Sequence, residues 1–386
     1  MRRTDKLMRV LVVLGTRPEA IKMAPVINEL ARRRQIMPLV CVTGQHRQML
    51  DSVLSLFHIK PDYDLNVMKH AQNVTEVTCA VLDSLPQVIR ESQPDVVLVQ
   101  GDTTTTMAAA LAAYYEKVPV GHVEAGLRSG NIYSPWPEEV NRRIASVIAT
   151  LHFAPTEQAR QNLLNEQVPE SQVVVTGNTV VDALISVIDG IANDPLFRQG
   201  VDSRYHFLGS EDGKHEGRNL ILVTAHRRES FGEGLEAICG AIRELARRPD
   251  VAVVYPVHPN PMVREPVFRS LGGVANIYLI DPLDYRSFVY FMSCSRLILT
   301  DSGGVLEEAP ALGKPVLVMR EVTERTEGLQ GGTATLVGTD HERIVEEAAR
   351  LLENEEAYRE MCQQGSPYGD GRASQRIVDE LLTRHF

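Results

Sequence analysis

The fold class of this chain is indicated most clearly by residues 95–126, DVVLVQGDTTTTMAAALAAYYEKVPVGHVEAG. This stretch begins with a continuously apolar run (95–102), passes through residues with helical spacing (103–116) and ends in a second apolar run (118–126). Strands that are apolar throughout, without alternation, are covered on both faces, and a helix between two of them predicts a parallel β-α-β unit. Each run ends in polar residues, GD and HVEAG, which we expect at one edge of the sheet.

The same alternation of strands and helices extends in both directions. Residues 191–218 interrupt it with Gly, Asp, Pro and charge, and are predicted to link or decorate two halves. Residues 371–386 are predicted to form a terminal helix. The other predicted strands are RVLVVLG (9–15), PLVCVTG (38–44), LHFAPT (151–156) and QVVVTGN (172–178) in the first half, then NLILVTAHR (219–227), VAVVYPVHP (251–259), NIYLIDP (276–282), RLILTDSGG (296–304), KPVLVMR (314–320) and ATLVG (334–338) in the second.

The pattern predicts an α/β protein with two Rossmann-like, doubly wound domains that face a central cleft. We expect an N-terminal domain at 1–178, a C-terminal ligand-binding domain at 179–368, and a terminal helix within 369–386 that packs back on the N-terminal domain. Ligands of doubly wound sheets bind beyond the carboxyl ends of the strands, and most of the unusual polar residues of this sequence follow strands.

Composition excludes several classes of protein. The net charge of −10 lacks the basic surface that general nucleic-acid binding requires, so an anionic ligand must be held by a few placed cations. The five cysteines form no CxxC pair, which favours a reducing cytoplasm over a disulfide framework. No apolar run reaches the length of a membrane span, so neither nucleic acid nor membrane is an expected partner.

The segment TDSGGVLEEA (300–309) is the strongest candidate for a phosphate site. Ser302, Gly303 and Gly304 follow a strand and open a helix, where backbone N–H groups bind anions. A turn that merely connects the strand and the helix is the alternative. Glu307 and Glu308 either complement the helix dipole or face the cleft, where one could accept hydrogen bonds from a ribose diol; spacing favours Glu308.

Three cations could complete that site. Arg17 follows the first strand in GTRPEAIKMAP (15–25), and Lys22 lies one turn into the next helix. Two cations at a helix start suit a diphosphate, although solvated charges would look the same. Arg325 lies on a loop after a later strand.

Asp102, Glu124, Glu138 and His226 are the candidate proton carriers. Asp102 could instead be a helix N-cap. Glu124 ends an apolar strand, where burial would make it a candidate acid or base. Glu138 follows two prolines at the start of a helix, and His226 shares its turn with two arginines and can transfer protons near neutral pH. No dinucleotide or P-loop fingerprint and no metal-binding motif is present, so we expect neither a cofactor nor a metal.

Taken together, the motifs resemble one family over residues 9 to about 380, the bacterial non-hydrolysing UDP-N-acetylglucosamine 2-epimerases. The blocks that carry the resemblance follow in order along the chain: GTRPEAIKMAP, GDTTTT, GHVEAGLR, SPWPEE, TAHRRES, PVHPNP, LTDSGG, EEAP and SPYGDGRA.

The resemblance implies the GT-B architecture, which one large class of glycosyltransferases shares, and interconversion of UDP-N-acetylglucosamine and UDP-N-acetylmannosamine without NAD. It matches Asp102, Glu124, Glu138 and His226 to the catalytic positions. It places Glu308 at the ribose and the Leu283 backbone and Phe288 near the uracil. The positions implied to hold the phosphates or neighbouring atoms are Arg17, Lys22, Ser302, Gly303, Gly304 and Arg325.

The resemblance also implies a homodimer and a second, regulatory UDP-sugar site, which involves Gln45, Gln48, Arg227 and His258. The chain departs from the usual family pattern at Leu306, Thr326 and, among the regulatory contacts, Ala71. Three other functions stay open on the sequence: a hydrolysing epimerase that releases UDP, a retaining GT-B-type glycosyltransferase, and a catalytically silent UDP-sugar sensor.

Overall fold

The structure, a computed structural model, describes residues 7–44, 47–67, 72–205, 214–215, 218–323, 325–384 and 386. The chain divides into two compact units. We call them unit 1 (Met1–Ala183 with Gly369–Phe386) and unit 2 (Leu184–Tyr368). Each unit contains a parallel sheet flanked by helices, which confirms the predicted α/β class with two doubly wound sheets.

Among the described residues of unit 1, seven parallel strands form one sheet. They are β1 (Met8–Leu14), β2 (Ile36–Val42), β3 (Tyr63–Asp64), β4 (Val96–Gln100), β5 (Val120–Val123), β6 (Leu151–Ala154) and β7 (Val173–Val175). Their order across the sheet is β3-β2-β1-β4-β5-β6-β7. The helices are α1 (Arg17–Arg32), α2 (Arg47–Leu56), α3 (Val74–Ser92), α4 (Thr104–Tyr115), α5 (Glu138–Ile148), α6 (Glu157–Asn165) and α7 (Thr179–Ala192), the last of which continues into unit 2.

Unit 2 repeats this plan. Its strands are β8 (Lys214–His215), β9 (Arg218–Thr224), β10 (Val251–Pro256), β11 (Ile277–Ile280), β12 (Leu297–Thr300), β13 (Val316–Val318) and β14 (Ala334–Leu336). Six of them are parallel in the order β11-β10-β9-β12-β13-β14, and β8 pairs antiparallel with β9. The helices are α8 (Pro195–Arg204), α9 (Glu233–Leu245), α10 (Pro261–Leu271), α11 (Tyr285–Cys294), α12 (Gly303–Glu308), α13 (Thr326–Gln330), α14 (His341–Glu353) and α15 (Glu355–Gln363).

The central strands are buried on both faces, as their continuously apolar sequences predict. In β1 and β4, residues 10–14 and 96–100 are at most 3% exposed. In each unit the strand order reverses beside the first strand of the series, between β1 and β4 in unit 1 and between β9 and β12 in unit 2. Ligands of doubly wound sheets bind at this switch point. Arg17 and Asp102 follow β1 and β4, and His226 and Ser302 follow β9 and β12.

The interruption at 191–218 contains more regular structure than its composition indicates. Asp194 caps α8 through Phe197 N, and Pro195 occupies the first turn, where proline is well tolerated. The Arg286 guanidinium of α11 lies over the Phe197 ring and also pairs with Asp194. The Asp-Pro pair is therefore a helix start, although we interpreted it as a break.

The helix α16 (Ala373–Thr383) packs against α1 in unit 1. The buried carboxylate of Asp182 caps its first turn, because it accepts hydrogen bonds from Ala373 N, Ser374 N and the Ser374 hydroxyl. Arg33, directly after α1, adds an ion pair to Asp379 at 2.8 Å. Within the described residues, no helix has the length and apolar composition to cross a membrane.

Candidate active site

Glu124 is a central residue of the candidate active site in unit 1. It directly follows β5, is 9% exposed and has a φ of +63°, in the left-handed region that non-glycine residues rarely adopt. Such strained backbone persists only where its surroundings enforce it, and it clusters at functional sites. The side chain is therefore held in place, as a catalytic group requires.

Three donors surround the Glu124 carboxylate. Lys22 Nζ lies 2.5 Å from Oε1, Asn178 Nδ2 donates to Oε1 at 3.2 Å, and Gln100 Nε2 donates to Oε2. Because all three donate, they favour the carboxylate over the protonated acid. Glu124 is therefore held as a carboxylate, the form in which it can accept a proton, and the same contacts make it a weaker base. Lys22, which we predicted at the phosphates, is in ion-pair contact with this base.

Asp102 lies beside Glu124, at the end of the neighbouring strand. A Cβ on Gly101, whose φ is +70°, would lie 3.4 Å from Glu124 Oε2, so the turn after β4 closely approaches the carboxylate. Asp102 pairs with Arg142 of α5 at 2.8 Å. Thr103, not Asp102, is the N-cap of α4, so the capping alternative for Asp102 is wrong.

Glu138 is the first residue of α5, directly after two cis prolyl bonds. Asn141 and Arg142, three and four residues later on the same helix face, bind the backbone oxygen and the carboxylate of Asp102. Glu138 therefore begins the face of α5 that packs toward Asp102. Its Oε2 is buried, and among the described residues it has no hydrogen-bond partner.

Arg17 begins α1 after a capping box, in which Thr16 and Glu19 exchange hydrogen bonds. The Glu19 carboxylate also accepts from the Thr103 hydroxyl at 2.9 Å, so it joins the turn after β1 to the turn after β4. Burial raises the pKa of Glu19 to about 6, although its hydrogen bonds act in the opposite direction. This buried acid fixes the backbone from which Arg17 extends.

The predicted phosphate residues of unit 2 lie together. Ser302 is the N-cap residue of α12 and makes no side-chain capping bond, and Gly303 and Gly304 form the first turn. The Arg325 guanidinium packs on Gly303, where an added Cβ would lie 2.6 Å from Nη1. Arg325 Nε donates to the buried Glu307 at 2.6 Å. The structure thus brings an arginine to a glycine-rich helix start, which suits an anion.

Glu308, the residue predicted to bind ribose, is buried, and its Oε2 accepts from the Tyr285 hydroxyl at 3.2 Å. Tyr285 begins α11, so this contact ties the end of α12 to the start of α11. Phe288 is half-buried one turn further along α11, and Leu283 is half-buried just before the helix. Glu308, Phe288 and Leu283 therefore occupy one neighbourhood in unit 2.

His226 lies at the end of β9, where its ring stacks on that of His258 with centroids 5.6 Å apart. The His226 side chain is 38% exposed, and Nδ1 lies 3.3 Å from Oδ1 of the buried Asp301. Removal of the ring from water lowers the pKa of His226, with Arg227 and His258 adding to the effect and Asp301 opposing it. His226 is therefore mainly neutral at pH 7.

Two of the predicted regulatory residues, Arg227 and His258, thus lie beside the predicted catalytic histidine. Gln45 and Ala71 lie outside the described residues, as does the side chain of Gln48, whose backbone is part of α2. Among the residues that the structure does describe, no group of three or more His, Cys, Asp or Glu side chains could hold a metal ion.

Sequence reasoning missed the residues that hold the site together. Gln100, Asn178 and Asp301 stand at the ends of predicted strands, and Glu19 completes a T-x-x-E capping box. The first three residues could have been recognised as polar residues at or next to a strand end. Glu19 could have been recognised from the capping box. Arg142 carried no such signal, because nothing in its helix indicates a partner 40 residues earlier.

The fold and these residues define a class, the α/β enzymes whose functional groups lie at the switch points of doubly wound sheets. The family model for UDP-N-acetylglucosamine 2-epimerase matches residues 28–382. The UDP-N-acetylglucosamine 2-epimerase of Yersinia pestis is 57% identical over 375 residues, which cover 97% of this chain and 98% of that protein. The chain belongs to the UDP-N-acetylglucosamine 2-epimerase family, which confirms the resemblance seen in the sequence.

Solved structures agree. The crystal structure of UDP-GlcNAc 2-epimerase from Neisseria meningitidis bound to UDP-GlcNAc matches with a TM-score of 0.91 at 51% identity, over 98% of this chain and 100% of that one. A glycosyltransferase from Rickettsia africae matches with a TM-score of 0.62 at 14% identity, over 98% of this chain and 100% of that one. This second likeness shows a shared fold alone, in line with the expected GT-B relationship.

Proposed function

We propose that this chain interconverts UDP-N-acetylglucosamine and UDP-N-acetylmannosamine by elimination and re-addition of UDP, without hydrolysis. Family membership supports the substrate. The observation that carries the mechanism is the buried Glu124 carboxylate, which three donors and a left-handed backbone hold in one position. A fixed carboxylate at a strand end is suited to general acid–base chemistry.

The chemistry of the sugar requires such a group. C2 has no adjacent carbonyl, so its proton is not acidic in the intact substrate. As the C1–O bond to UDP breaks, positive charge develops at C1 and acidifies the C2 proton. A carboxylate removes that proton and the electron pair forms the C1–C2 double bond of a glycal, while UDP leaves as an anion. Protonation of C2 on the opposite face and re-addition of UDP at C1 complete the exchange.

The two faces of C2 require two proton carriers, and the acids of the site support this requirement. We propose Asp102, Glu124, Glu138 and His226 as the catalytic set. Glu124 and Asp102 are adjacent, and Glu138 starts the helix face that contacts Asp102.

We propose that Ser302, Gly303, Gly304 and Arg325, with Arg17 and Lys22, stabilise the departing diphosphate. Electrostatic stabilisation of a leaving group is among the largest contributions to catalysis. The packing of Arg325 on Gly303 at the start of α12 supports this assignment. Glu308 would bind the ribose, and Phe288 and the Leu283 backbone would contact the uracil.

We also propose a cytoplasmic location, since all five cysteines are thiols.

The deciding experiment is NMR and mass spectrometry of UDP-N-acetylglucosamine incubated with the protein in heavy water, without added NAD or metal. We expect an intact UDP-manno epimer that carries deuterium at C2, because the removed proton exchanges with solvent. An unlabelled epimer would contradict proton abstraction. Release of free N-acetylmannosamine and UDP would favour the hydrolysing alternative, and sugar transfer to an added acceptor would favour a glycosyltransferase.

We further propose a homodimer. Val140, Ile144 and Val147 repeat along one face of α5 and are 38%, 36% and 87% exposed, and Tyr114 and Tyr115 are exposed at the end of the adjacent α4. Soluble monomers rarely expose apolar patches of this kind, and an isologous contact between two copies would cover this one.

Val147→Glu is therefore expected to convert the dimer to a monomer, because it buries a charge in the contact. Sedimentation analysis measures the change, and circular dichroism checks the fold. Val175→Glu is the control, because it makes the same change at a 38% exposed valine of β7, outside the proposed contact. This variant should stay dimeric. A wild-type monomer would refute the homodimer, and a dimeric Val147→Glu variant would place the interface elsewhere.

We also propose a second, regulatory UDP-sugar site in this protein. It rests on the resemblance at Gln45, Gln48, Arg227 and His258. The structure adds one supporting contact, the stacking of His258 on His226. A ligand bound by His258 and Arg227 would directly contact the surroundings of the proposed catalytic histidine, which offers a physical route from that site to the reaction.

A further inference from the structure

Asp301 is a fully buried carboxylate in unit 2 to which the sequence assigned no role. It directly follows β12, whose neighbour in the sheet is β9, and its backbone N–H continues the ladder to Thr224 O at 3.1 Å. The sheet therefore fixes Asp301 at the carboxyl end of β12, next to β9, whose last residue Thr224 precedes His226 by two positions.

The two carboxylate oxygens of Asp301 have different surroundings. Oδ2 accepts hydrogen bonds from the backbone N–H groups of His226 and Arg227, at 2.6 and 2.7 Å. Oδ1 is buried and, within the described part of the chain, has no hydrogen-bond partner, but His226 Nδ1 lies 3.3 Å away. A buried acceptor without a partner requires an explanation, and a proton on Nδ1 supplies one.

We propose that Asp301 is a positioning residue for His226: Oδ2 fixes the backbone of the His226 turn, and Oδ1 holds the ring in the tautomer with hydrogen on Nδ1. Nε2 of the neutral ring then keeps its lone pair and accepts a proton from the substrate side. A carboxylate behind a histidine acts in this way in several unrelated enzymes, where it sets the tautomer and stabilises the imidazolium that forms.

The charges around the ring define what Asp301 opposes. Arg227 from the same turn and His258 from the end of β10 both disfavour a proton on His226, as does removal of the ring from water, and Asp301 alone among these groups favours it. Loss of the negative charge should therefore lower the pKa of His226 further. It should also weaken any proton transfer through the ring.

Asp301→Asn is the informative variant. The amide oxygen can still accept from both backbone N–H groups, so the turn is preserved, but the amide NH₂ then faces Nδ1 as a donor. We expect ¹⁵N NMR of the neutral His226 ring to show hydrogen on Nδ1 in the wild type and on Nε2 in the variant. We expect a lower His226 pKa and a kcat reduced about 10²–10⁴-fold, with KM nearly unchanged.

Asp340→Asn is a matched control, because Asp340 also accepts a backbone N–H, that of Arg343 at the start of α14. It should change neither the His226 tautomer nor kcat. An unchanged tautomer and pKa in a folded Asp301→Asn protein would overturn the proposal, whatever happens to kcat. If that variant does not fold, hydrogen on Nε2 of the neutral wild-type ring would overturn it. Only the kcat measurement rests on the proposed function, so a wild type without epimerase activity would refute that function and leave the NMR test intact.

Discussion

Glu124→Gln is expected to lower kcat by about 10²–10⁴-fold and to change UDP affinity much less. The substitution keeps the size of the side chain and removes the proton acceptor. The change also removes the counter-charge of the buried Lys22, so we expect a less stable but folded protein in which the hydrogen bonds of the site can be kept. The glutamine oxygen can take the place of Oε1, where Lys22 and Asn178 donate, and Gln100 can reverse its amide so that its oxygen faces the new NH₂ group.

Steady-state rates of epimer formation and calorimetric titration with UDP measure the two quantities. Glu157→Gln is the matched control, because it makes the same change at a surface glutamate that is 69% exposed and paired with Arg160. We expect the control to keep wild-type kcat. A Glu124→Gln enzyme with wild-type kcat would exclude Glu124 as a proton carrier, and a large loss of UDP affinity would instead indicate a distorted site.

Three of the four candidate proton carriers could be located from the sequence because each follows a strand. A buried parallel strand has a continuous apolar sequence, so the first polar residues after it must lie at the edge of the sheet. The sequence alone therefore locates Asp102, Glu124 and His226 at strand ends. Gln100, Asn178 and Asp301 also lie at or just after strand ends, but we assigned them no role from the sequence.

The partners within the site could not be predicted, because they depend on contacts between distant parts of the chain. Lys22 and Glu124 are 102 residues apart, and Asn178 is a further 54 residues away. Helical spacing placed Lys22 near a helix start, where a phosphate was the natural partner for a cation. The three-dimensional structure adds a second partner, the Glu124 carboxylate, whose Oε1 lies 2.5 Å from Lys22 Nζ.

The helix α8 shows a different limit. Its sequence is polar and contains Gly200, so no apolar stripe in the sequence predicts this helix. Its anchors are a ring pair between Phe197 and Tyr290 and a hydrogen bond from the Tyr290 hydroxyl to Asp202. Tertiary packing therefore stabilises a helix that local sequence alone does not specify.

Lys22→Met is expected to lower the stability of the protein by about 3–5 kcal/mol, because it leaves the Glu124 carboxylate buried without its counter-ion. The two side chains are only 10% and 7% exposed, so solvent screens their interaction little. For a unit of this size, such a loss corresponds to a fall in melting temperature on the order of 10 °C.

The double variant Lys22→Met with Glu124→Gln should recover most of that loss, since it removes both charges and leaves a neutral amide that Gln100 and Asn178 can still bind. Thermal unfolding of the wild type, the two single variants and the double variant gives the coupling energy. Arg90→Met, which breaks the ion pair of the 62% exposed Arg90 with Glu116, is the surface control and should cost less than about 1 kcal/mol. If the double variant is as unstable as Lys22→Met alone, the ion pair does not stabilise unit 1, and Lys22 then contributes through its aliphatic packing and not through its charge.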